Sequence, residues 1–366
     1  MTPYLVRRLT PLDSRLALAA LYAGAIVAAV AAGGSMFALF GANPVTAYLS
    51  LIENAFFDLR GFGYTLVQAT PLILVALGAI VAWRSGFMYL GFDGAMIVGS
   101  TTATAFALGA GPGLPLDMLP STIVVALAVL VGAMAGALWS AIVAVLQVRT
   151  GGNTVLISLM TNYIAIVLVQ FLVSGPMRAV GDQPQTSLID RAFWLPIIIE
   201  GTRTHAGILI ALVMAAVIFV LMEKSAVGYE LVAAGLNQKA ARYGGVDVGR
   251  RVVQAGLVAG ALAGLAGAIT ILGVQHRLLD GLSQGAGFIG IVAALLGRLT
   301  VPGSVVASLL YSGLTVGADA MQRHTGLPSA LVQVVQALIV LFVLAAEIAR
   351  THRIALRAPS AAKARA

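Results

Sequence analysis

Apolar stretches recur ten times along the chain, at about 16–40, 62–83, 86–109, 121–147, 153–175, 205–222, 252–274, 286–298, 303–322 and 327–348. A bilayer core of roughly 30 Å takes about 20 helical residues to cross, so all but the eighth are long enough to span unaided or nearly so. None shows the alternation of about ten residues that marks a barrel strand. A backbone in lipid has to satisfy its own hydrogen bonds, which leaves helices. The pattern predicts an all-α polytopic membrane protein, a single transmembrane domain over residues 1–366.

Polar stretches are few, and each has a place. Asn43–Arg60 is mixed and is expected along the outer interface. Gly109–Pro120 is a short Gly/Pro loop. Pro176–Thr204 is the longest outer segment, with a surface helix expected near Ser187–Glu200. The tail 349–366 is basic and small, and is expected to fray. The most informative polar stretch lies in the inner loop 224–251: Gly228–Asp247 (GYELVAAGLNQKAARYGGVD) is amphipathic, helical in composition and basic. A chain this apolar has little reason to carry such a loop except to dock a soluble partner. Leu231–Tyr243 is predicted as one short helix, stopped by Gly244–Gly245.

Charge orients the spans. With the N-terminus inside and ten crossings, inside segments hold sixteen of the 22 Lys and Arg and outside segments six. That bias predicts both termini on the cytoplasmic side. It also accounts for the net charge of +8 through contact with anionic lipid, without nucleic acid. At 10% charged residues the chain is far from an ordinary soluble domain, at about 25%. The absence of Cys excludes disulfides and thiolate metal sites.

Ten crossings divide into two halves of five that start on opposite sides, so any repeat is inverted. The third span of each half is broken by glycine: GFMYLGFDGAM at Gly86–Met96 and GLSQGAGFIGIVAALLG at Gly281–Gly297. Matched interruptions of this kind point to a site near the membrane middle, though small residues also serve close helix packing. The latter reading suits Gly132 and Gly136, and Gly256, Gly260, Gly264 and Gly267, better than any chemistry.

No enzyme constellation is present: no GxxxxGK[ST], HExxH or GxSxG motif, and no paired carboxylates on one helix face. Intramembrane polar groups are the remaining signal. Asp93 is the carboxylate set well inside an apolar run, bracketed by Gly91 and Gly94; it reads either as a ligand of whatever crosses or as a cap of a half-helix. Gln68 precedes Pro71, where a kink is expected. In NTVLISLMTNYIA, Asn153 reads as an N-cap and Asn162 as a mid-span ligand candidate. Phe92 and Phe288 offer rings to a planar ligand.

Five motifs, in order and spanning nearly the whole chain, resemble the permease subunits of bacterial ABC importers, in the nucleoside and simple-sugar branch of the branched-chain-amino-acid-type permeases. They are MYLGFDGAMIVG (Met88–Gly99), GNTVLISLMTNYIA (Gly152–Ala165), GPMRAVGDQPQT (Gly175–Thr186), GLNQKAARYGGV (Gly235–Val246) and GAGFIGIVAALLGRLTVPG (Gly285–Gly303). The resemblance implies about ten transmembrane segments in two inverted five-segment halves with broken third helices, in the bacterial inner membrane. It implies a second permease subunit, an external substrate-binding lipoprotein, and a cytoplasmic ATPase carrying the ATP and Mg²⁺, with no cofactor in this chain. Leu236, Asn237, Ala240, Ala241, Tyr243 and Gly244 are then the ATPase-coupling candidates. The chain departs from the first motif, where the family's Asn, Ala, Glu and Gln fall at Tyr89, Phe92, Asp93 and Ala95. Two amides are lost and two rings gained, which favours a purine nucleoside or base over ribose or galactose. An ion-coupled transporter would need a buried titratable relay, which one Asp does not make.

Overall fold

A computed structural model describes residues 3–7, 15–41, 43–109, 120–181, 183–283, 285–325 and 352–356, with parts of 330–346. Helices follow in the order α1 (Arg15–Leu39), α2 (Pro44–Ile52, continued by a π turn to Phe57), α3 (Leu59–Arg84), α4 (Phe92–Ala107), α5 (Ser121–Thr150) and α6 (Thr154–Ser174). Then come α7 (Gly207–Lys224), α8 (Ala226–Leu236), α9 (Gln238–Tyr243), α10 (Val248–Thr270, continued by a π turn to Gln275), α11 (Ala286–Leu296) and α12 (Val301–Thr325). Two compact units divide the chain: Met1–Asn54 with Leu314–Ala366, and Ala55–Gly313.

The sparse polar residues start the helices. Asn43, Asp58, Asn153, Ser225, Asn237 and Asp247 each accept a backbone N–H of the following helix. In an apolar chain these are the groups able to satisfy the first-turn amides.

In the unit Ala55–Gly313, α10 is the central helix, packed on α3, α4 and α5. The contact with α4 and α5 is made by glycine: Gly99 meets Gly264, and Gly136 meets Gly260 and Gly264, each so closely that a Cβ would strike backbone. The small residues spaced by four are therefore packing, as the sequence suggested. In the other unit, Phe37 packs against Tyr48 with ring centroids 5.3 Å apart. Tyr48 Oη donates to the Val30 carbonyl at 2.9 Å.

Several expectations change. Among the described residues six helices are long and apolar enough to cross a membrane, or seven if α1 and the helix after it, bent by 117°, make one broken span. The chain is a multi-pass membrane protein, but the predicted count of ten is not reached. Two of the missing spans are the glycine-broken ones. They shorten to α4 and α11, of 16 and 11 residues, or about 24 and 16 Å at 1.5 Å per residue. The tenth predicted stretch, 327–348, lies partly outside the described residues, as does most of the Gly109–Pro120 loop. Asn43–Arg60, expected along the outer interface, is largely helical, made of α2 with its π turn and the start of α3.

No helix forms at Ser187–Glu200 beyond a 3-10 turn at Arg191–Phe193. The amides of Thr186, Ile189 and Leu195 are instead given to the carbonyls of Leu278, His276 and Leu272, so long-range bonding outcompetes local helix. Within the expected fraying tail, His352–Leu356 (β2) pairs antiparallel with Pro3–Arg7 (β1), Tyr4 opposite Ala355.

Candidate functional site

Both glycine-broken segments are where the sequence placed them. Residues 87–91 run without helix from the end of α3 to the start of α4, and α11 starts at Ala286 after the left-handed Gly281 and Gly285. Two polar side chains hold these short helices. Asn162 of α6 accepts the Gly94 N–H at 2.8 Å and donates through Nδ2 to the Leu90 carbonyl at 3.0 Å. It thus satisfies one donor and one acceptor at the N-terminus of α4. Asp93, in the first turn of α4, accepts the Gly287 N–H at 3.0 Å. The Phe288 amide and the Ser283 hydroxyl lie close to the same carboxylate. Asp93 and Asn162 are both buried. Of the two readings open for Asp93, the geometry is that of a cap, and the helix capped is α11, 194 residues away in sequence.

The rings of the first motif do not line an opening. Tyr89 and Phe92 are fully buried and pack edge to face, with centroids 4.9 Å apart. Phe87 stacks on Tyr89 at 5.4 Å, and Tyr89 Oη donates to the Gly91 carbonyl at 2.7 Å. Rings committed to one another and to backbone leave no face for a ligand in this conformation. Gln68 and Phe288 behave differently. Helix α3 is buried along most of its length, yet Tyr64 and Gln68, four apart on one stripe, are exposed with Pro71 partly so. Phe288, 44% exposed, projects from α11, which packs on α3 with Gly290 tight against Val75. Of the six predicted pathway residues, Gln68 and Phe288 reach the surface, Asp93 and Asn162 fix helix ends, and Tyr89 and Phe92 fill the core.

A cavity of about 90 Å³ lies between α4, α6 and the segment 278–283, lined by Ile97, Ile166, Val169 and Asp280 among others. Small-molecule sites run to roughly 300–1,000 Å³, so a nucleoside does not fit it. Gln170 Nε2 donates to Asp280 Oδ2 at 3.0 Å beside it.

The segment Leu231–Tyr243 is two helices, not the one predicted. Asn237, at φ −156°, leaves the helix and caps the next by accepting the Lys239 and Ala240 amides. The Gly stop stands: Gly244 ends α9 and Gly245 is left-handed at φ 84°. Leu236 is 83% and Tyr243 94% exposed; Asn237, Ala240 and Gly244 are exposed too. Ala241 faces inward and is buried, so it supports the segment rather than meeting a partner.

Four participants were not legible beforehand: Gly287 and Ser283 on Asp93, Trp139, and His205. Trp139 Nε1 has no hydrogen-bond partner among the described residues and lies beside Gly94. Beyond the helix ends, outside the spans, His205 is buried and accepts the Gly207 N–H at Nδ1. Burial first, and the neighbouring His276 second, lower its pKa to about 4. His276 stacks on Trp194 at 3.6 Å, and burial, with Arg203 nearby, lowers its pKa as well.

Comparison with known proteins agrees with this architecture. Residues 61–344 match the family described as branched-chain amino acid transport system / permease component. The guanosine ABC transporter permease protein NupP of Bacillus subtilis (strain 168) is 35% identical over 325 residues, covering 87% of this chain and 91% of that one. The nucleoside ABC transporter permease protein NupB of Lactococcus lactis subsp. cremoris is 31% identical over 329 residues, 87% of this chain and 88% of the relative. The glucose ABC transporter permease protein TsgB13 of Haloferax volcanii is 30% identical over 342 residues, 90% and 88% of the two chains. No solved structure matches.

Proposed function

The chain belongs to the branched-chain amino acid transport system / permease component family, as a transport subunit rather than an enzyme, and on that premise we propose that it forms half of the pathway of an ATP-driven importer for purine nucleosides. The observation that carries the substrate class is the 35% identity to the guanosine permease over nine-tenths of that protein. The buried Tyr89 and Phe92 withdraw the stacking argument made from the sequence, so the preference for a purine rests on kinship. A specific observation favours the sugar reading as well: the glucose permease aligns over a larger share of this chain, 90%.

The exposed stripe of Tyr64 and Gln68 on α3, with Phe288 on α11, is the surface we assign to the pathway. It combines an amide and two rings, and a single chain exposes it on one side. A second permease subunit would close it. An external binding lipoprotein would deliver the substrate. The cytoplasmic ATPase, with its ATP and Mg²⁺, would dock on Leu236, Asn237, Ala240, Tyr243 and Gly244, where two large apolar side chains stand almost fully exposed beside the basic Lys239 and Arg242. Pairing of β1 with β2 brings Pro3–Arg7 beside His352–Leu356, which supports both termini on one side, the cytoplasmic one by the charge bias; the arrangement we assign is that of an inner-membrane permease of two inverted halves.

Uptake competition tests the substrate class. Cells carrying the whole system take up labelled guanosine, and excess adenosine, guanine, ribose or galactose is added. Competition by the purines and not by the sugars is expected. Competition by ribose or galactose alone would overturn the nucleoside reading in favour of the sugar.

A further inference from the structure

The coupling segment meets the first broken span backbone to backbone. Gly235, near the end of α8, lies against the last turn of α3. A Cβ there would overlap the Arg84 carbonyl oxygen and come within 2.8 Å of the Gly86 nitrogen and the Ser85 carbonyl carbon. Reciprocally, a Cβ on Gly86 would lie 3.1 Å from Gly235 Cα. Gly86 is left-handed at φ 80° and closes α3: its N–H goes to the Trp83 carbonyl at 3.1 Å and that of Phe87 to the Ala82 carbonyl at 2.9 Å, the paired bonds of a glycine-ended helix. Neither side of this contact has a side chain that can yield. A shift of Gly235 presses on the peptide of Ser85–Gly86 itself.

The connector beyond Gly86 is equally unyielding. Trp83 Nε1 donates to the Tyr89 carbonyl at 3.1 Å, and Tyr89, stacked on Phe87 and edge to face with Phe92, is fully buried with both. Asn162 grips Leu90 and Gly94. Asp93 then holds Gly287 of α11. Close-packed groups of this kind transmit displacement rather than absorb it. Behind Gly235, α8 is anchored to α10 by Glu230–Arg251 at 2.7 Å, and α3 to α7 by Arg84–Glu223 at 2.6 Å.

We propose that the Gly86–Gly235 contact is where movement of the docked ATPase enters the membrane part, passing through the connector Phe87–Gly91 to the two half-helices α4 and α11. Gly86 and Gly235 act as positioning residues, and touch neither substrate nor nucleotide. The inference rests on the reading that α9 and Leu236 receive an ATPase.

The chain has no Cys, so Met88→Cys, at a connector position 50% exposed, gives a single reporter. The tagged chain is purified with its associated subunits into nanodiscs, and maleimide labelling of the introduced thiol is timed without nucleotide and after trapping with ATP and vanadate. Trapping should change the labelling rate about threefold or more. Adding Gly235→Ala should abolish that response and lower uptake roughly tenfold, with the ATPase still bound and hydrolysing ATP. Labelling that ignores trapping, in a complex whose ATPase is bound and active, overturns the inference and leaves the importer reading intact. So does a Gly235→Ala transporter that keeps both response and uptake. If Gly235→Ala does not assemble, the Met88→Cys measurement decides alone. A purified complex with no ATP hydrolysis overturns the importer reading and this inference with it.

Discussion

Replacing Asp93 by alanine distinguishes a clasp between helices from a ligand for whatever crosses. The carboxylate is 5% exposed and takes the Gly287 N–H at 3.0 Å, with Ser283 and Phe288 close by. A hydrogen bond to a charged group contributes about 1.5–3 kcal/mol, and a buried donor left unmade costs about 1–3 kcal/mol. These describe the same bonds from two sides and do not add. Asp93→Ala should therefore destabilise the protein by about 2–3 kcal/mol, and Asp93→Asn, which keeps an acceptor of similar reach, by about 1 kcal/mol. At about 2.1 cal/mol/K of unfolding entropy per residue, 366 residues give roughly 1–1.5 °C per kcal/mol, so thermal unfolding in nanodiscs should drop by about 3–4 °C for Ala and about 1 °C for Asn. Uptake should follow the same order, with Asn retaining most of it. An Asp93→Ala protein that melts like the wild type but transports nothing would refute the clasp and restore the direct ligand. An Asn variant as inactive as Ala and fully stable would point to the charge itself.

Leu236→Asp and Tyr243→Ala should leave the permease folded while cutting ATPase association, read by co-purification; unchanged association would move the docking surface elsewhere. Ala241→Glu, by contrast, should place a charge where the chain is buried and destabilise by about 3 kcal/mol or more, seen as lost membrane yield rather than as clean uncoupling. Asn162→Ala removes a donor and an acceptor at the start of α4 and should cost about 1–3 kcal/mol in thermal unfolding. His205 is neutral in the fold, with a pKa near 4 against an ordinary 6.5. Stability is then complete above about pH 6.5 and falls as pH drops through that value towards 4, by up to about 3 kcal/mol. His205→Leu should flatten the melting profile between pH 4 and 7, and an unchanged acid slope would exclude this residue as its cause.

Helices and their breaks were legible from the chain because apolar length and glycine are local signals. Asn153 as a cap, the Gly244–Gly245 stop and the interruptions at Gly86–Met96 and Gly281–Gly297 all came through. The partner of Asp93 did not, since nothing near position 93 says that its acceptor will face Gly287. The fate of Tyr89 and Phe92 was hidden for another reason. In a membrane chain an apolar side chain facing lipid and one facing the core look alike, so hydrophobic pattern does not tell a lining ring from a packed one. Ser187–Glu200 failed as a helix because its amides are spoken for by the turns around 272–278. Asn237 split the coupling helix because a good cap in mid-segment starts a new helix as readily as it continues the old.

The seam joining α4, α5 and α10 has a consequence for where this protein can bend. Ordinary helix contacts accommodate a shift by swapping rotamers, and the new arrangement settles into another set of wells. At Gly99, Gly132, Gly136, Gly260 and Gly264 there are no rotamers to swap. The three helices have one way to fit and no neighbouring alternative, so they travel as a single piece. Compliance is left to the rest of the unit: the left-handed hinges at Gly281 and Gly285, the π turn ending α10, and α6 and α7, whose sides are largely bare. On the importer reading, α4 carries this glycine-welded block with it, and alternating access consists of the block and the peripheral elements shifting against one another.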